Sequence, residues 1–291
     1  MHDELTALAG RLAAAGERPA APCPDPVNAA MIRNWTQALG DTGSWDDVAP
    51  PAMIQVWSMP GLAEPAERGV ADEVLRLLEH SGHTGVVATN CEQTYDRYVK
   101  VGEHLRSTMR FGGVAGPKKT AMGEGYFVTW HQSWYDENGE RVAEMLFRVL
   151  KFRPRESAGA AAGGEGPPPA RAGEPADGLT IDLTPTFVIS TAIATRDFTP
   201  VHHDTALARA QGSRDIFVNI LTTMGLVQRR ALDAVPGAEL AGIDVRLGAP
   251  AYAGDALVLT AERVDDRTLR VRGRVGSADH VTATVRLREP R

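Results

Sequence analysis

The sequence has few cysteines and no long apolar run. Its two cysteines, Cys23 and Cys91, lack CxxC spacing, so they can form neither a disulfide framework nor a zinc site. No apolar run approaches the length that spans a bilayer. The alanine-rich N-terminal stretch carries charges throughout and lacks the apolar segment of a secretory signal. These absences predict a globular protein of the reducing cytoplasm.

Basic residues and cofactor motifs are also scarce. The 31 lysines and arginines are outnumbered by 37 acidic residues, which gives a net charge of -6, and no basic stripe is available to neutralise the phosphates of a nucleic acid. The sequence has no P-loop, no GxGxxG dinucleotide signature and no cluster of metal ligands. We therefore expect no nucleic-acid partner, no metal and no cofactor beyond a group that the substrate itself carries.

What remains predicts two folded domains. The chain has 291 residues, of which 43% are hydrophobic, and that is enough for two cores. In the segment ESAGAAAGGEGPPPARAGEPADG, residues 156–178, glycine, alanine and proline replace every large apolar residue. Such a composition is typical of a flexible tether. We predict a lead-in at 1–24, a first domain at 25–155 and a second domain at 179–291.

Both domains show the same order of elements. In the first, a helix in VNAAMIRNWTQALG and a proline-led apolar helix in PPAMIQVWSMPGL precede four strand-like runs. In the second, a strand at LTIDLTPTFVIS precedes a long apolar helix at IFVNILTTMGLVQRRALDAV and four more strands, with a tight turn at DDR. One buried helix followed by an antiparallel meander is typical of the α+β hot-dog architecture. Two copies predict a double hot dog.

The segment RDFTPVHHD, residues 196–204, concentrates titratable side chains. Asp197 and His202 lie five residues apart, and Pro200 keeps the segment between them out of a helix. A carboxylate and an imidazole that converge on one water molecule can act as general acid and base near neutral pH. The alternative is an aspartate that caps the helix predicted in HDTALARAQG. Asp204 fits that capping role better than Asp197 does.

The motif DFTPVH resembles the D-x-N-P-x-H signature of the MaoC-like, R-specific enoyl-CoA hydratases and dehydratases, which are hot-dog proteins, with Thr199 in place of the usual asparagine. The resemblance continues through RLGAPAYAGDALVLT and covers nearly all of the second half. Through GVVATNCEQTYDRY and GPKKTAMGEGYF, the first half resembles the other subunit type of heteromeric hydratases that act on steroid side-chain CoA thioesters. The chain thus resembles a fusion of the two subunits.

The resemblance implies roles for several residues. Asp197 and His202 would bind the water that is added across the double bond, and His203 is the competing imidazole and a substrate-binding candidate. The backbone N–H of Asn219, at the start of the central helix, would polarise the thioester carbonyl. Val218 is the adjacent candidate for that donor and for contact with the substrate.

The first half carries a degenerate copy of the motif in ALGDTGSW. Asp41 is present, but Gly43, Ser44 and Asp46 stand where the signature has asparagine, proline and histidine. Pro51, near the corresponding helix start, has no N–H to donate. We therefore predict that the first half is catalytically silent and that Asp41 is a structural residue or a rim contact.

All five tryptophans lie in this first half. Trp35 and Trp57 are the candidates for walls of a pocket that takes a bulky, flat acyl group. The alternative is that they are ordinary core residues.

The resemblance implies an enoyl-CoA hydratase, a hydro-lyase that acts on a steroid side-chain substrate in steroid or cholesterol degradation. One alternative is a thioesterase, which would need an acid on the central helix, where none precedes Asp233. Another is a non-catalytic acyl-CoA or sterol-CoA binding module.

The implied partners are a second copy of the chain, as a homodimer, and a downstream aldolase, although the extension where that aldolase would be expected to dock has no counterpart in this sequence. Candidates for contact with the CoA phosphates are Arg97, Lys118, Lys119 and Arg246.

Overall fold

The computed structural model describes most of the chain, namely residues 2–20, 22–60, 62, 69–120, 122–154 and 178–289. The tether predicted at 156–178 lies outside these residues, apart from its last glycine. Its character stays a prediction.

Six α-helices and ten strands are found among the described residues. The helices are α1 His2–Ala14, α2 Ala29–Leu39, α3 Asp72–His80, α4 Pro185–Ala194, α5 Thr205–Ala210 and α6 Ile220–Ala234, with 3₁₀ helices at Pro51–Ser58 and Pro200–His202. The strands are β1 Glu17–Pro19, β2 Gly85–Tyr95, β3 Arg106–Lys119, β4 Gly123–Tyr135, β5 Arg141–Pro154, β6 Leu179–Asp182, β7 Leu240–Leu247, β8 Ala256–Asp265, β9 Thr268–Val275 and β10 Ala278–Leu287.

All ten strands form one sheet with an internal repeat. The strand order is β1-β3-β4-β5-β2-β7-β10-β9-β8-β6. Counted from its own outer edge, the first half runs β1-β3-β4-β5-β2 and the second runs β6-β8-β9-β10-β7, so the two halves have the same topology. They meet where β2 pairs antiparallel with β7, from Asn90 opposite Arg246 to Thr94 opposite Gly242.

The helix α6 is the centre of the second half. Most of its 15 residues are buried, as expected of a helix that is surrounded by other elements. It contacts strands β7, β8, β9 and β10 of its own half and the 3₁₀ helix Pro51–Ser58 of the other half. The central helices of the two halves therefore pack against each other inside the sheet.

The central helix of the first half is shorter and tighter than the apolar helix that the sequence predicts. The N–H of Met53 donates to the Pro50 carbonyl at 2.9 Å, in the i to i−3 pattern of a 3₁₀ helix. Pro60 follows closely after its end. The first central helix is therefore confined to Pro51–Ser58.

The strand predicted at LTIDLTPTFVIS is wrong beyond its first four residues. The strand β6 ends at Asp182, and helix α4 begins at Pro185. Thr184 caps this helix, because its side-chain oxygen accepts from the N–H of Phe187 at 3.1 Å. Proline at the first helical position and threonine before it are a helix-start signal that outweighs the β-branched residues that follow.

The N-terminal lead-in forms a packed helix. Leu5, Leu8 and Leu12 of α1 are buried, at the spacing that places apolar side chains on one face. The helix contacts β3 and α3, so this segment belongs to the core of the first half.

Gly225 lies where the two halves pack closely, and we expect Gly225→Ala to destabilise the protein. A Cβ at this position would lie 2.5 Å from Leu39 Cδ1 and 2.6 Å from Trp35 Cζ2. Because Trp35 is fully buried, its ring has no room to move aside. The free energy of unfolding should fall by about 1–3 kcal/mol in denaturant titrations.

The matched control is Gly10→Ala on the exposed face of α1, where a Cβ meets nothing within 4 Å. This variant should raise the free energy of unfolding by up to about 1 kcal/mol, because alanine has the higher helix propensity. Stabilisation by both substitutions would contradict the close packing at Gly225.

Candidate active site

The segment that carries Asp197 begins at the end of helix α4. The N–H groups of Arg196 and Asp197 donate to the carbonyls of Ile193 and Ala192, both at 3.0 Å. Arg196 has a φ of 56°, in the left-handed region that glycine prefers at such helix ends. An arginine in this conformation costs about 1 kcal/mol. The backbone is thus held in a strained turn directly before Asp197.

Asp197 and His202 face each other as their spacing predicts. The 3₁₀ helix Pro200–His202 turns the imidazole back, so that His202 Nε2 lies 3.5 Å from Asp197 Oδ2. Both residues are nearly buried, with relative exposures of 9% for Asp197 and 8% for His202. The structure therefore brings the predicted pair together.

The surroundings of His202 determine which ring nitrogen carries the proton in its neutral form. Nδ1 lies 2.8 Å from the carbonyl oxygen of Phe217. Because a carbonyl can only accept, the proton is assigned to Nδ1, and Nε2 is left as an acceptor. The lone pair of His202 Nε2 and a carboxylate oxygen of Asp197 are then neighbouring acceptors, and a donor that lies beside the pair can bond to both.

Thr199 holds the Asp197 carboxylate in place. Its hydroxyl donates to Asp197 Oδ1 at 2.7 Å, and its backbone N–H donates to the same oxygen at 3.2 Å. Both donors use Oδ1, which leaves Oδ2 directed at His202. The threonine at the position where the signature has asparagine thus contacts the carboxylate directly.

Asn219 caps the N-terminus of α6. Its side-chain oxygen accepts from the N–H of Thr222 at 2.7 Å, and its side-chain nitrogen donates to Thr195 Oγ1 at 2.8 Å. Its backbone N–H has no hydrogen-bond acceptor in the part of the chain that the structure describes. This N–H lies at the positive end of the helix dipole.

The N–H of Val218, the other candidate donor, is already engaged, because it donates to the Ala251 carbonyl at 2.9 Å. Val218 itself is buried. Of the two predicted donors, only the Asn219 N–H is available to a ligand.

A buried histidine supports the same helix end. His280 Nδ1 lies 2.9 Å from the Ala249 carbonyl, and Nε2 lies 3.0 Å from Thr223 Oγ1. Burial lowers the pKa of His280 below its ordinary value, which favours the neutral ring. Thr223 also contacts the backbone oxygen of Asn219 at 3.1 Å. This network holds the first turn of α6 against strand β10.

His203 and Asp204 point to other partners. His203 Nε2 lies 3.0 Å from the carbonyl oxygen of Phe198. The side chain of Asp204 accepts from the N–H of Leu207 at 2.9 Å and caps α5, which confirms the capping role predicted for it. The acidic and basic pair of this segment is therefore Asp197 with His202, and a substrate contact of His203 stays a prediction.

The first half has a turn before Asp41 that matches the turn before Asp197, but it lacks the histidine partner. Gly40 has a φ of 63°, as Arg196 does in the second half, and the Asp41 N–H donates to the Thr36 carbonyl at 2.8 Å. The Asp41 carboxylate accepts from the Gly43 N–H at 2.8 Å and from Trp45 Nε1 at 3.2 Å. Both carboxylate oxygens therefore accept hydrogen bonds from the loop that follows Asp41, in agreement with the predicted structural role of this residue.

The helix start of the first half is occupied by a side chain from the second half. The N–H of Ala52, directly after Pro51, donates to Gln228 Oε1 at 2.9 Å, and this bond is buried. At the position that corresponds to the α6 terminus, proline removes one donor and glutamine satisfies the next. The first half has no free donor at this position for a thioester oxygen.

Trp35 and Trp57 lie in the core, with exposures of 0% and 2%. This burial agrees with the alternative interpretation, that they are ordinary core residues. The indole nitrogens of both have no hydrogen-bond acceptor among the described residues, and neither has Gln228 Nε2. These buried N–H donors lie on the elements that face each other between the two halves, α2, the 3₁₀ helix Pro51–Ser58 and α6.

Sequence reasoning missed three contributors to the site. The Phe217 carbonyl is a backbone group, so no residue type signals it. Thr195 and Gln228 act across long sequence separations, and the partner of each becomes evident only once the helices are packed. Only the threonine had a local signal, because it ends an apolar run directly before the motif.

Among the described residues, no helix combines the length and the apolar character that crossing a bilayer requires.

Three comparisons with known proteins agree with this geometry. The family model for the FAS1-like dehydratase domain region matches residues 13–145. The chain is 45% identical over 148 residues to the alpha subunit of 3-oxo-4,17-pregnadiene-20-carboxyl-CoA hydratase from Mycobacterium tuberculosis, covering 46% of this chain and 47% of that protein. It thus spans about half the length of this relative.

The beta subunit of the same Mycobacterium tuberculosis hydratase is 56% identical over 108 residues, covering 35% of this chain and 84% of that subunit. Similarity to both subunit types within one chain confirms the predicted resemblance to a fusion.

In fold, the chain is similar to a conserved hypothetical protein of Mycobacterium tuberculosis that has a double hot-dog fold, with a TM-score of 0.59, 13% identity and coverage of 94% of this chain and 96% of that one. The predicted fold class is confirmed. The sequence matches and the geometry together show that the chain is a double hot-dog protein and belongs to the MaoC-like enoyl-CoA hydratase and dehydratase family.

Proposed function

We propose that this chain catalyses the reversible addition of water across the α,β double bond of an enoyl-CoA thioester whose acyl group is a bulky steroid side-chain derivative. The observation that carries the proposal is the buried pair of acceptors, His202 Nε2 and Asp197 Oδ2, at 3.5 Å. A water molecule is small enough to bridge these atoms and has one hydrogen for each of them.

The pair serves both proton transfers. As the water oxygen forms its bond to the β-carbon, one O–H bond breaks and its proton passes to the pair. The electrons of the double bond move toward the thioester carbonyl, and a proton from the pair completes a C–H bond at the α-carbon. Because the same two side chains take and return the proton on one face, the addition is syn.

The carbonyl oxygen gains negative charge during this step and needs a donor. The free N–H of Asn219, at the N-terminus of α6, supplies one together with the helix dipole. The bond from Asn219 Nδ2 to Thr195 Oγ1 ties this donor to the end of α4, directly before Asp197. The carbonyl donor and the acid–base pair are thus held by one short network.

One chain carries one such site. In the first half, Asp41 is used by its own loop, and the helix N–H of Ala52 is satisfied by Gln228. The first half would contribute to the shape of the substrate pocket and would take no part in the proton transfers. The relatives are named for a pregnadiene carboxyl-CoA, which supports a bulky steroid acyl group as the substrate.

The wider setting follows from this substrate. The chain would act in steroid or cholesterol side-chain degradation in the cytoplasm, as a homodimer of double hot-dog chains. A tertiary alcohol made by hydration would pass to an aldolase as the next enzyme. The two free cysteines, Cys23 and Cys91, are compatible with a reducing compartment.

The first test is hydration by variants of the pair. Asp197→Asn and His202→Ala should each lower the rate of loss of a conjugated steroid side-chain enoyl-CoA by about 10² or more, because each removes a partner of the water molecule. Steady-state absorbance of the conjugated thioester measures this rate, with crotonyl-CoA as the small comparison substrate.

Asp41→Asn is the matched control, because it makes the same chemical change at the corresponding turn of the silent half. Its rate should stay within a few-fold of the wild-type rate. Equal rates in all three variants would contradict the proposal, and release of free CoA without hydration would favour a thioesterase.

Thr199 offers a finer test. Thr199→Ala removes the hydroxyl that orients Asp197 and should lower the hydration rate roughly tenfold, the loss of one charge-assisted hydrogen bond. Thr199→Asn restores a side-chain donor and should recover most of the rate. If the alanine variant is as active as wild type, the threonine has no positioning role.

A further inference from the structure

A cavity of about 650 Å³ opens in the second half. The loop between β7 and β8, the hairpin between β9 and β10 and the side chain of Arg214 line it. A volume of this size is typical of a small-molecule site. None of the residues that line this cavity was predicted from the sequence to bind a ligand.

Two ring contacts bound the distance between the cavity and the catalytic pair. Tyr252 lines it and meets the ring of Phe217 edge-on at 5.9 Å, and Phe217 in turn meets the ring of His202 at 4.9 Å. The separation of Tyr252 from the imidazole is therefore at most about 11 Å between ring centroids. This distance is shorter than an extended pantetheine arm.

Arg214 is held at the wall of the cavity in a fixed orientation. Its guanidinium lies 4.5 Å from the centroid of the Tyr252 ring, and its Nη2 donates to Asp255 Oδ1 at 2.6 Å. The other oxygen of Asp255 accepts from the Tyr252 N–H at 2.9 Å. Because this salt bridge uses one side of the planar fork and 53% of the arginine side chain is exposed, N–H donors remain for a ligand.

Arg274 is the second cation of the cavity, and no carboxylate pairs with it closely. Its Nη2 donates to the Ser277 carbonyl at 3.0 Å, while its buried Nε has no hydrogen-bond acceptor among the described residues. The carboxylate near it belongs to Asp279, at 3.9 Å, and both oxygens of this carboxylate are already bonded to Arg272, at 2.6 and 2.8 Å. The lining therefore carries two arginines against one carboxylate that is engaged by Arg214.

We propose that this cavity binds the phosphate-bearing nucleotide end of the CoA thioester, with Arg214 and Arg274 as the phosphate ligands. The inference rests on the proposed function for the identity of the thioester. Guanidinium groups bind phosphate oxygens in a bidentate manner, and the pantetheine arm would run from the cavity past Tyr252 and Phe217 to the catalytic pair.

The cations that the sequence suggested have other surroundings. Arg97 pairs with Glu103 and Asp136, both at 2.9 Å. Lys118 lies on β3 in the first half, over the ring of Phe127, and Arg246 lines a separate groove together with acidic residues of β2 and β7. None of them lines this cavity.

The test measures binding of free CoA and of pantetheine, which lacks the phosphates, to the full chain by calorimetry. Arg274→Gln should weaken CoA binding about tenfold, the loss of one charge-assisted contact, and should leave pantetheine binding within twofold. Arg270→Gln is the matched control, because Arg270 is an exposed arginine on the same strand outside the cavity, and it should change neither affinity.

Arg214→Lys, which retains the charge beside the buried Asp255, provides a second variant that should fold and still weaken CoA binding. Unchanged CoA affinity in both cavity variants would overturn the assignment. If these variants lose CoA affinity while the wild type hydrates no enoyl thioester, the cavity assignment stands and the proposed function fails. If the wild type hydrates the thioester while the variants bind CoA unaltered, the proposed function stands and the cavity assignment fails.

Discussion

The hydrogen bond between His202 and the Phe217 carbonyl is the interaction on which the site depends. It fixes the neutral imidazole with Nδ1 protonated and turns Nε2 toward Asp197. Phe217 is itself held against the loop between β7 and β8, because it pairs with Tyr252 and the neighbouring Val218 N–H donates to the carbonyl of the residue before Tyr252. The same segment leads directly into the cap of α6. One backbone carbonyl thus couples the imidazole, the helix terminus and the wall of the cavity.

The two halves show how one fold supports different roles. Both follow the same strand order, and both end the helix before the motif in a left-handed residue, Gly40 or Arg196. They diverge where chemistry requires donors and acceptors. In the second half the helix terminus keeps a free N–H, whereas in the first half Pro51 has no N–H and the N–H of the following Ala52 is used by Gln228. Gln228 of the second half therefore binds a backbone N–H at the helix start of the first half, at the end of the helix where the second half keeps a donor free for its substrate.

Much of the fold follows from local patterns. The sequence patterns predicted nine of the ten strands, although the run that contains β6 was extended too far, and the long, largely apolar segment around Gly225 predicted a buried central helix. Helix α4 was missed because β-branched residues at its centre favour a strand, whereas the deciding features, Thr184 and Pro185, lie at its start. The 3₁₀ form of the first central helix rests on i to i−3 hydrogen bonds such as that from Met53 to Pro50, which hydrophobic periodicity does not report.

In the site, too, local sequence patterns predicted some features, and contacts between distant segments determine the others. The spacing of Asp197 and His202 around Pro200 was sufficient to predict that they converge, whereas Asn219 was placed at the start of the central helix by the family resemblance. The tautomer of His202, the availability of the helix-terminal N–H and the pairing of Gln228 with the other half depend on contacts between distant segments. The burial of Trp35 likewise follows from packing of the two halves, which composition alone does not determine.

The most direct test of the central claim, that this chain adds water to an enoyl thioester, follows the oxygen atom of that water. The full chain would be incubated with a polycyclic enoyl-CoA in water enriched in heavy oxygen, and the products analysed by mass spectrometry. The account predicts an intact CoA thioester that has gained one labelled water, with the label as a hydroxyl on the β-carbon. Label in a free carboxylic acid together with released CoA, or recovery of the unchanged thioester, would contradict it.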